Sequence, residues 1–307
     1  MPVGHCRLCN TEEDLQLSHI VPAFLFRWVR ATSAGGYLRL GMAPNQRVQD
    51  GLKRHWLCAN CEGLLSGWET AFAEKLFYPY IKGTSRILYE DWLLYFCVSV
   101  SWRILRFHVE ETDLVKRWGP EEFERVAEAE NVWKRFLLAK LPHPDQFHQH
   151  IIPVELIASV SNPRVDLSPN LNRYLMRTID IDVCRSDTTK FIYCKLPRFV
   201  ILGVMQDKRP NQWQGTKVRL KHGRIEPQRY TLPFSFFEYL NSKARRTREL
   251  SESISTRQQS KSDKSFRASA DKFVGSDAFI AMQNDIDMFG EDAFSQRQTE
   301  CGSDPKI

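Results

Sequence analysis

The residues of this chain best suited to chemistry are two cysteine pairs, Cys6-Arg7-Leu8-Cys9 and Cys58-Ala59-Asn60-Cys61. A Cys-x-x-Cys turn presents two sulfurs to half of a tetrahedron, and two such turns separated by a loop-sized insert supply the four thiolates of a zinc site. The spacing therefore predicts that Cys6, Cys9, Cys58 and Cys61 hold one structural zinc ion. Either pair alone reads equally as two buried cysteines or a redox dithiol, but both in one short stretch favour metal. Between the pairs lies His19, in Leu17-Ser18-His19-Ile20-Val21-Pro22, and Glu62 follows Cys61 directly.

On these residues the stretch from Cys6 to about Tyr80 resembles the HNH endonucleases of the treble-clef, ββα-metal type. The resemblance implies a zinc knuckle that clamps a hairpin and a helix, with His19 as the general base that activates water. It also implies a catalytic divalent cation, Mg²⁺ or Mn²⁺, held by Glu62 with Asn45 or Asn60, that neutralises the phosphodiester being cut. In bacteria such modules often sit in restriction or phage-defence proteins, which is the setting the resemblance suggests. Two positions depart from the pattern. Ser18 stands where such sites commonly carry an acidic residue or His before the catalytic His, and Glu62 where they place Asn or His on the final helix. A carboxylate can still ligate Mg²⁺ or Mn²⁺ through oxygen. The motif recurs as His150-Ile151-Ile152-Pro153 with no cysteine near it, so the first copy is the candidate. The competing reading is a non-catalytic treble clef that binds nucleic acid or a protein, with His19 a structural remnant.

A nuclease needs cations for the phosphate backbone. Arg47, Lys53 and Arg54 lie in the polar segment before the second knuckle, where they could meet phosphates or simply line a solvated loop. From Met205 to Tyr230 seven Lys or Arg, including Arg229, face only Asp207 and Glu226. Lys217, Arg219 and Lys221 are its densest part and read either as a phosphate-tracking surface or as a strand edge kept soluble by charge. The expected partner is nucleic acid, DNA rather than RNA.

Several elements must position these groups. Phe24, Leu25, Trp28 and Val29 recur at helical spacing after Pro22, and Tyr37 to Leu40 reads as a short strand. From Cys61 to about Tyr80 the pattern predicts a helix with Leu64, Trp68, Phe72 and Leu76 as its buried stripe, and with Glu62, Ser66 and Glu69 on a neighbouring face. Glu90 to His108 is apolar nearly all round and reads as the central helix of a second domain, followed by a helix from Pro120 to about Lys140. His143, His148 and His150 fall among prolines and read as a solvated loop. Runs at Ile179 to Val183, Phe191 to Cys194 and Phe199 to Leu202 read as strands, and Lys217 to Ile225 as a hairpin turning at His222-Gly223.

The fold class expected is α+β: a zinc-binding treble-clef domain over 1–82, an accessory domain of helices then antiparallel strands over 83–240, and a mostly disordered tail over 241–307. Within the tail, Phe279, Met282, Ile286 and Phe289 could form a short amphipathic helix that docks on a protein partner or folds back over the basic surface. Hydrophobic residues at 42% and aromatics at 12% exclude a chain disordered throughout, and a net charge of +6 permits a polyanionic partner without requiring one. Cys97, Cys184, Cys194 and Cys301 suggest no disulfide framework. The run from Trp92 to Leu105 is interrupted by Ser99, Ser101 and Arg103 and is too short for a bilayer, and Met1 to His5 resembles no secretory signal, so a cytoplasmic protein without membrane contact is expected.

Overall fold

The computed structural model describes residues 1–33, 35–41, 43–157, 166–226 and 230–294. Arg229, Cys301 and the end of the expected tail, 295–307, lie outside the described residues. The fold mixes helix and strand, as the α+β expectation requires. In chain order, β1 (Val3–His5), β2 (Glu12–Asp14) and β3 (Gln16–His19) lead into α1 (Ala23–Ala31), then β4 (Leu38–Leu40), β5 (Ala43–Val48) and β6 (Lys53–Leu57). Next come α2 (Ala59–Phe72), a π turn (Ala73–Phe77), α3 (Tyr78–Ile81), β7 (Ile87–Glu90), α4 (Trp92–Glu111), α5 (Leu114–Trp118) and α6 (Pro120–Leu137). The strands β8 (Gln149–Pro153), β9 (Asp180–Arg185), β10 (Thr189–Leu196), β11 (Phe199–Asp207) and β12 (His222–Ile225) follow, with α7 (Leu171–Arg177) between β8 and β9. Three helices, α8 (Phe234–Glu252), α9 (Thr256–Arg267) and α10 (Asp277–Phe289), come last among the α-helices of the described residues.

Two compact units divide these elements. The first comprises Met1–Val29, Gln49–Val154 and Arg177–Phe234, and the second Arg30–Val48, Glu155–Met176 and Ser235–Ile307. These units interleave along the sequence. In the first unit an antiparallel sheet of order β8-β11-β10-β9 packs on α4. Leu93, Phe96, Cys97, Val100, Trp102, Ile104 and Leu105 of α4 have no exposure, each large apolar side chain contributing about 1.5–3 kcal/mol by burial. Gly203 of β11 permits the close approach, since a Cβ there would stand 2.5 Å from the Ser101 hydroxyl of α4. Among the described residues no helix is long and apolar enough to cross a membrane.

Three local expectations are corrected. Leu64 is 40% exposed, and the buried stripe of α2 runs instead through Cys61, Leu65 and Phe72, because Cys61 of the four-cysteine cluster sets the inward face. The segment 216–218 and β12 do not form a hairpin. Ile151 donates to the Thr216 carbonyl (2.9 Å) and Val218 to that of Gln149 (2.9 Å), so this segment follows β8, while β12 pairs with β7 from His222↔Glu90 to Ile225↔Ile87. His150 is not in a solvated loop but in β8, 2% exposed, where Ile151 and Ile152 carry it into the sheet.

In the second unit the described residues from 241 to 294 are largely helical. Buried polar groups supply what the thin apolar content lacks. Asp285 of α10 has no exposure and accepts from the backbone amides of Asn172 (3.0 Å) and Arg173 (3.2 Å) and from Arg173 Nε (3.1 Å), and Asn241 Oδ1 accepts from Ser168 N–H (2.7 Å). The amphipathic helix expected around Phe279 to Phe289 is α10, and it is anchored within its own unit by Asp285.

Candidate functional site

The knuckle forms where two turns converge. Asn10 adopts a left-handed φ of 69°, which lets its amide reach back to the Cys6 carbonyl at 2.8 Å, and Arg7 N–H bonds to the Trp56 carbonyl at 2.8 Å. Cys58 caps the N-terminus of α2 and its carbonyl accepts the Glu62 amide at 2.9 Å. The four sulfurs of Cys6, Cys9, Cys58 and Cys61 all lie within 4.8 Å of one another. Cys9 Sγ and Cys58 Sγ are 3.7 Å apart, against about 3.8 Å for the edge of a tetrahedron with Zn–S bonds of about 2.3 Å. Burial and the neighbouring sulfurs push the Cys61 thiol far up, whereas at Cys9 the hydrogen bonds of Thr11 outweigh burial and bring it down to about 6. Such crowding is what a divalent ion would relieve, because it favours the deprotonated sulfurs. The four cysteines could hold a metal ion such as zinc.

Beside the knuckle, β3 and β6 pair antiparallel with His19 opposite Lys53. The loop before β6 returns Asp50 to the same end, and Gly51 is required in it, because a Cβ would stand 2.3 Å from the Phe26 ring. His19 Nε2 lies 2.8 Å from Asp50 Oδ2, and Lys53 Nζ reaches the same oxygen at 2.7 Å. Burial alone would raise the Asp50 carboxyl, but bonds from Lys53, His19 and the Gly51 amide outweigh it and hold it near about 2. At neutral pH an ionised Asp50 therefore faces His19. An ionised carboxylate can only accept, so Nε2–H is the donor of this pair, on an imidazole that is 19% exposed.

Ser18 and Glu62 meet each other. Ser18, 1% exposed, donates its hydroxyl to Glu62 Oε2 at 2.5 Å. Glu62 is half-buried in the first turn of α2. Two turns further along α2, Glu69 Oε1 accepts from Arg103 Nη1 at 2.6 Å, and the same Nη1 donates to the His19 carbonyl at 2.9 Å. Asp50 and Arg103 escape sequence reasoning. The first lies 31 residues from His19 within a polar loop, and the second reads only as an interruption of an apolar run.

No family model, curated protein or solved structure matches the chain. Its site is therefore read from its own residues. Of those expected at a catalytic centre, His19 and Glu62 lie in the first unit, Glu62 bonded to Ser18, the residue before His19, and Asn60 is exposed on the first turn of α2. Asn45 belongs to the second unit, where its Oδ1 accepts the Ser255 amide at 2.7 Å. Among the expected phosphate contacts, Lys53 is paired with Asp50, and Arg54 is paired through both Nε (2.8 Å) and Nη2 (3.0 Å) with Glu111. Arg47 sits in the second unit with its guanidinium 3.9 Å from the centroid of the Tyr37 ring. Lys217, Arg219 and Lys221 are exposed; Lys217 lies between the buried Thr216 and Val218 on the segment that follows β8, and the Arg219 amide donates to the Tyr89 hydroxyl at 3.2 Å.

For a catalytic cation the donors fit in part. Mg²⁺ takes one or two carboxylates and completes its shell with water and substrate phosphate. Glu62 offers one such carboxylate, since only its Oε2 is engaged by Ser18. Glu69 is committed to Arg103, and Asp50 to His19 and Lys53.

Proposed function

We propose that the chain is a metal-dependent phosphodiester hydrolase acting on nucleic acid, with zinc in the four-cysteine knuckle as its structural ion. The observation that carries this reading is the pairing of His19 with an ionised Asp50 at 2.8 Å, next to a knuckle that would fix both strands. Nδ1 of His19 takes a proton from water, the water oxygen attacks phosphorus, and the bond from phosphorus to the 3′ oxygen breaks. Asp50 holds the imidazole in the tautomer with Nδ1 free and stabilises the imidazolium that forms. Lys53, on the same carboxylate oxygen, is placed to turn to a phosphate when substrate arrives. A divalent cation, Mg²⁺ or Mn²⁺, carried by Glu62 would neutralise the phosphoryl oxygens and the leaving 3′ oxygen. Lys217, Arg219 and Lys221 supply an exposed row of cations for the nucleic-acid backbone.

One observation favours a second reading, a zinc-organised binding module without catalysis. Ser18 and Glu62 satisfy each other at 2.5 Å, as a purely structural latch would. Incubation of the purified protein with plasmid DNA, single-stranded DNA and RNA, with and without Mg²⁺ or Mn²⁺, separates the two. Cation-dependent cleavage that Glu62→Gln weakens supports hydrolysis. Binding without cleavage under every condition supports the module.

A further inference from the structure

We propose that Arg103 is the positioning residue of the His19 base, locking its backbone to the helix that carries Glu62. The inference rests on the hydrolase reading above. Arg103 lies in the buried middle of α4, flanked by Trp102 and Ile104, neither of which is exposed, and is itself 2% exposed. A guanidinium in such a place is costly unless its donors are met, and an apolar side chain of similar volume would fill the space at less cost. Its donors are met only in part. Nη1 serves the His19 carbonyl (2.9 Å) and Glu69 Oε1 (2.6 Å), Nε serves the Ser99 carbonyl (3.3 Å), and the buried Nη2 has no hydrogen-bond partner among the described residues. A residue kept for packing alone would not be this one.

The place it reaches explains the choice. The β3–β6 ladder ends at His19↔Lys53, and the next amide, Ile20 N–H, turns to the Leu52 carbonyl at 3.0 Å. Beyond that pair Arg103 supplies the donor that the His19 carbonyl takes, and so fixes the backbone of the residue whose ring Asp50 fixes. Glu69 neutralises the guanidinium from α2, seven residues and so about two turns from Glu62 on the same face. One buried cation thereby ties three elements together: α4, the end of β3, and the helix that carries the proposed cation ligand. Arg103 is buried, and its effect passes through the His19 carbonyl to which it donates.

The test uses the full-length, zinc-loaded chain with its histidines labelled for NMR, in the wild type and in Arg103→Met, Arg103→Lys and Glu69→Gln. Arg103→Met is expected to keep about one zinc per chain, to move the His19 imidazole resonances, and to lower kcat about 10- to 100-fold while KM changes little. Arg103→Lys, which keeps one donor and the charge, is expected to restore part of kcat. If Arg103→Met does not fold, Glu69→Gln carries the test, since it leaves the guanidinium in place but unneutralised and should shift the same resonances. Unchanged His19 resonances and unchanged kcat in the folded variants would overturn the proposal. Should the wild type cleave nothing, the hydrolase reading falls by itself and the resonances alone decide whether Arg103 holds His19.

Discussion

Removing the metal from the four-cysteine site should unfasten the knuckle without dissolving the sheet behind it. The site joins Cys9 to Cys58 across 49 residues, and so joins the turn after β1 to the first turn of α2. The apolar support close by is small. Leu8, Leu57 and Leu65 are almost fully buried and together contribute about 5–9 kcal/mol gross, against a backbone ordering cost of about 1–2 kcal/mol for each of the residues in the two turns. A structural zinc ion supplies about 10–16 kcal/mol, more than that local margin can replace. The β10–β11 pair is buried along nearly its whole length and owes nothing to the sulfurs. Chelation at neutral pH, followed by hydrogen exchange, is therefore expected to lower the protection of the Arg7, Asn10 and Glu62 amides at least 100-fold, or about 2.7 kcal/mol, while amides of β10 and β11 keep theirs. Cys58→Ser should behave as the chelated protein does. Unchanged protection at Arg7, Asn10 and Glu62 in the metal-free chain would refute the reasoning.

Three further perturbations probe other parts of the account. Asp50→Asn removes the ionised acceptor of His19 and should lower kcat by about two orders of magnitude with zinc content unchanged, as steady-state kinetics and elemental analysis would show. Ser18→Ala leaves Glu62 without its 2.5 Å donor and should cost about 1–2 kcal/mol in urea unfolding. A third concerns acid. Burial, with help from the charges of His148 and Lys217, pushes His150 down to about 3, so the unfolded chain binds this proton from about pH 6.5 downward and the folded chain does not. Stability should fall by about 1.4 kcal/mol per pH unit below 6.5, or about 2 kcal/mol by pH 5, and His150→Gln should flatten that slope in denaturation curves at pH 7 and 5.

What was legible in the sequence follows the range of the interaction. The four cysteines could be read because each pair is local and the spacing of a Cys-x-x-Cys turn is a geometric demand. The main helices could be read from their apolar periodicity, α4 most plainly. Asp50 could not, because its meaning depends on the β3–β6 register that brings it back to His19. Arg103 could not, because a lone cation in an apolar run says nothing of Glu69 or of a backbone carbonyl 84 residues away. His150 shows the reverse error. A histidine among prolines suggests water, yet Ile151 and Ile152 bury it in β8, where Thr216 Oγ1 lies 2.7 Å from Nδ1. After Asn241 the contacts that count are long-range and polar, such as Asp285 with Arg173, and composition says nothing of them.

The most direct measurement compares the wild type with His19→Ala, both carrying equal zinc, for cleavage of plasmid DNA in Mg²⁺ or Mn²⁺. The account expects the wild type to cut, and expects His19→Ala to bind DNA with similar affinity but to lose cleavage by at least about 100-fold, since general-base catalysis contributes about 10²–10⁴. Equal cleavage by both proteins would contradict it and move the chemistry away from His19.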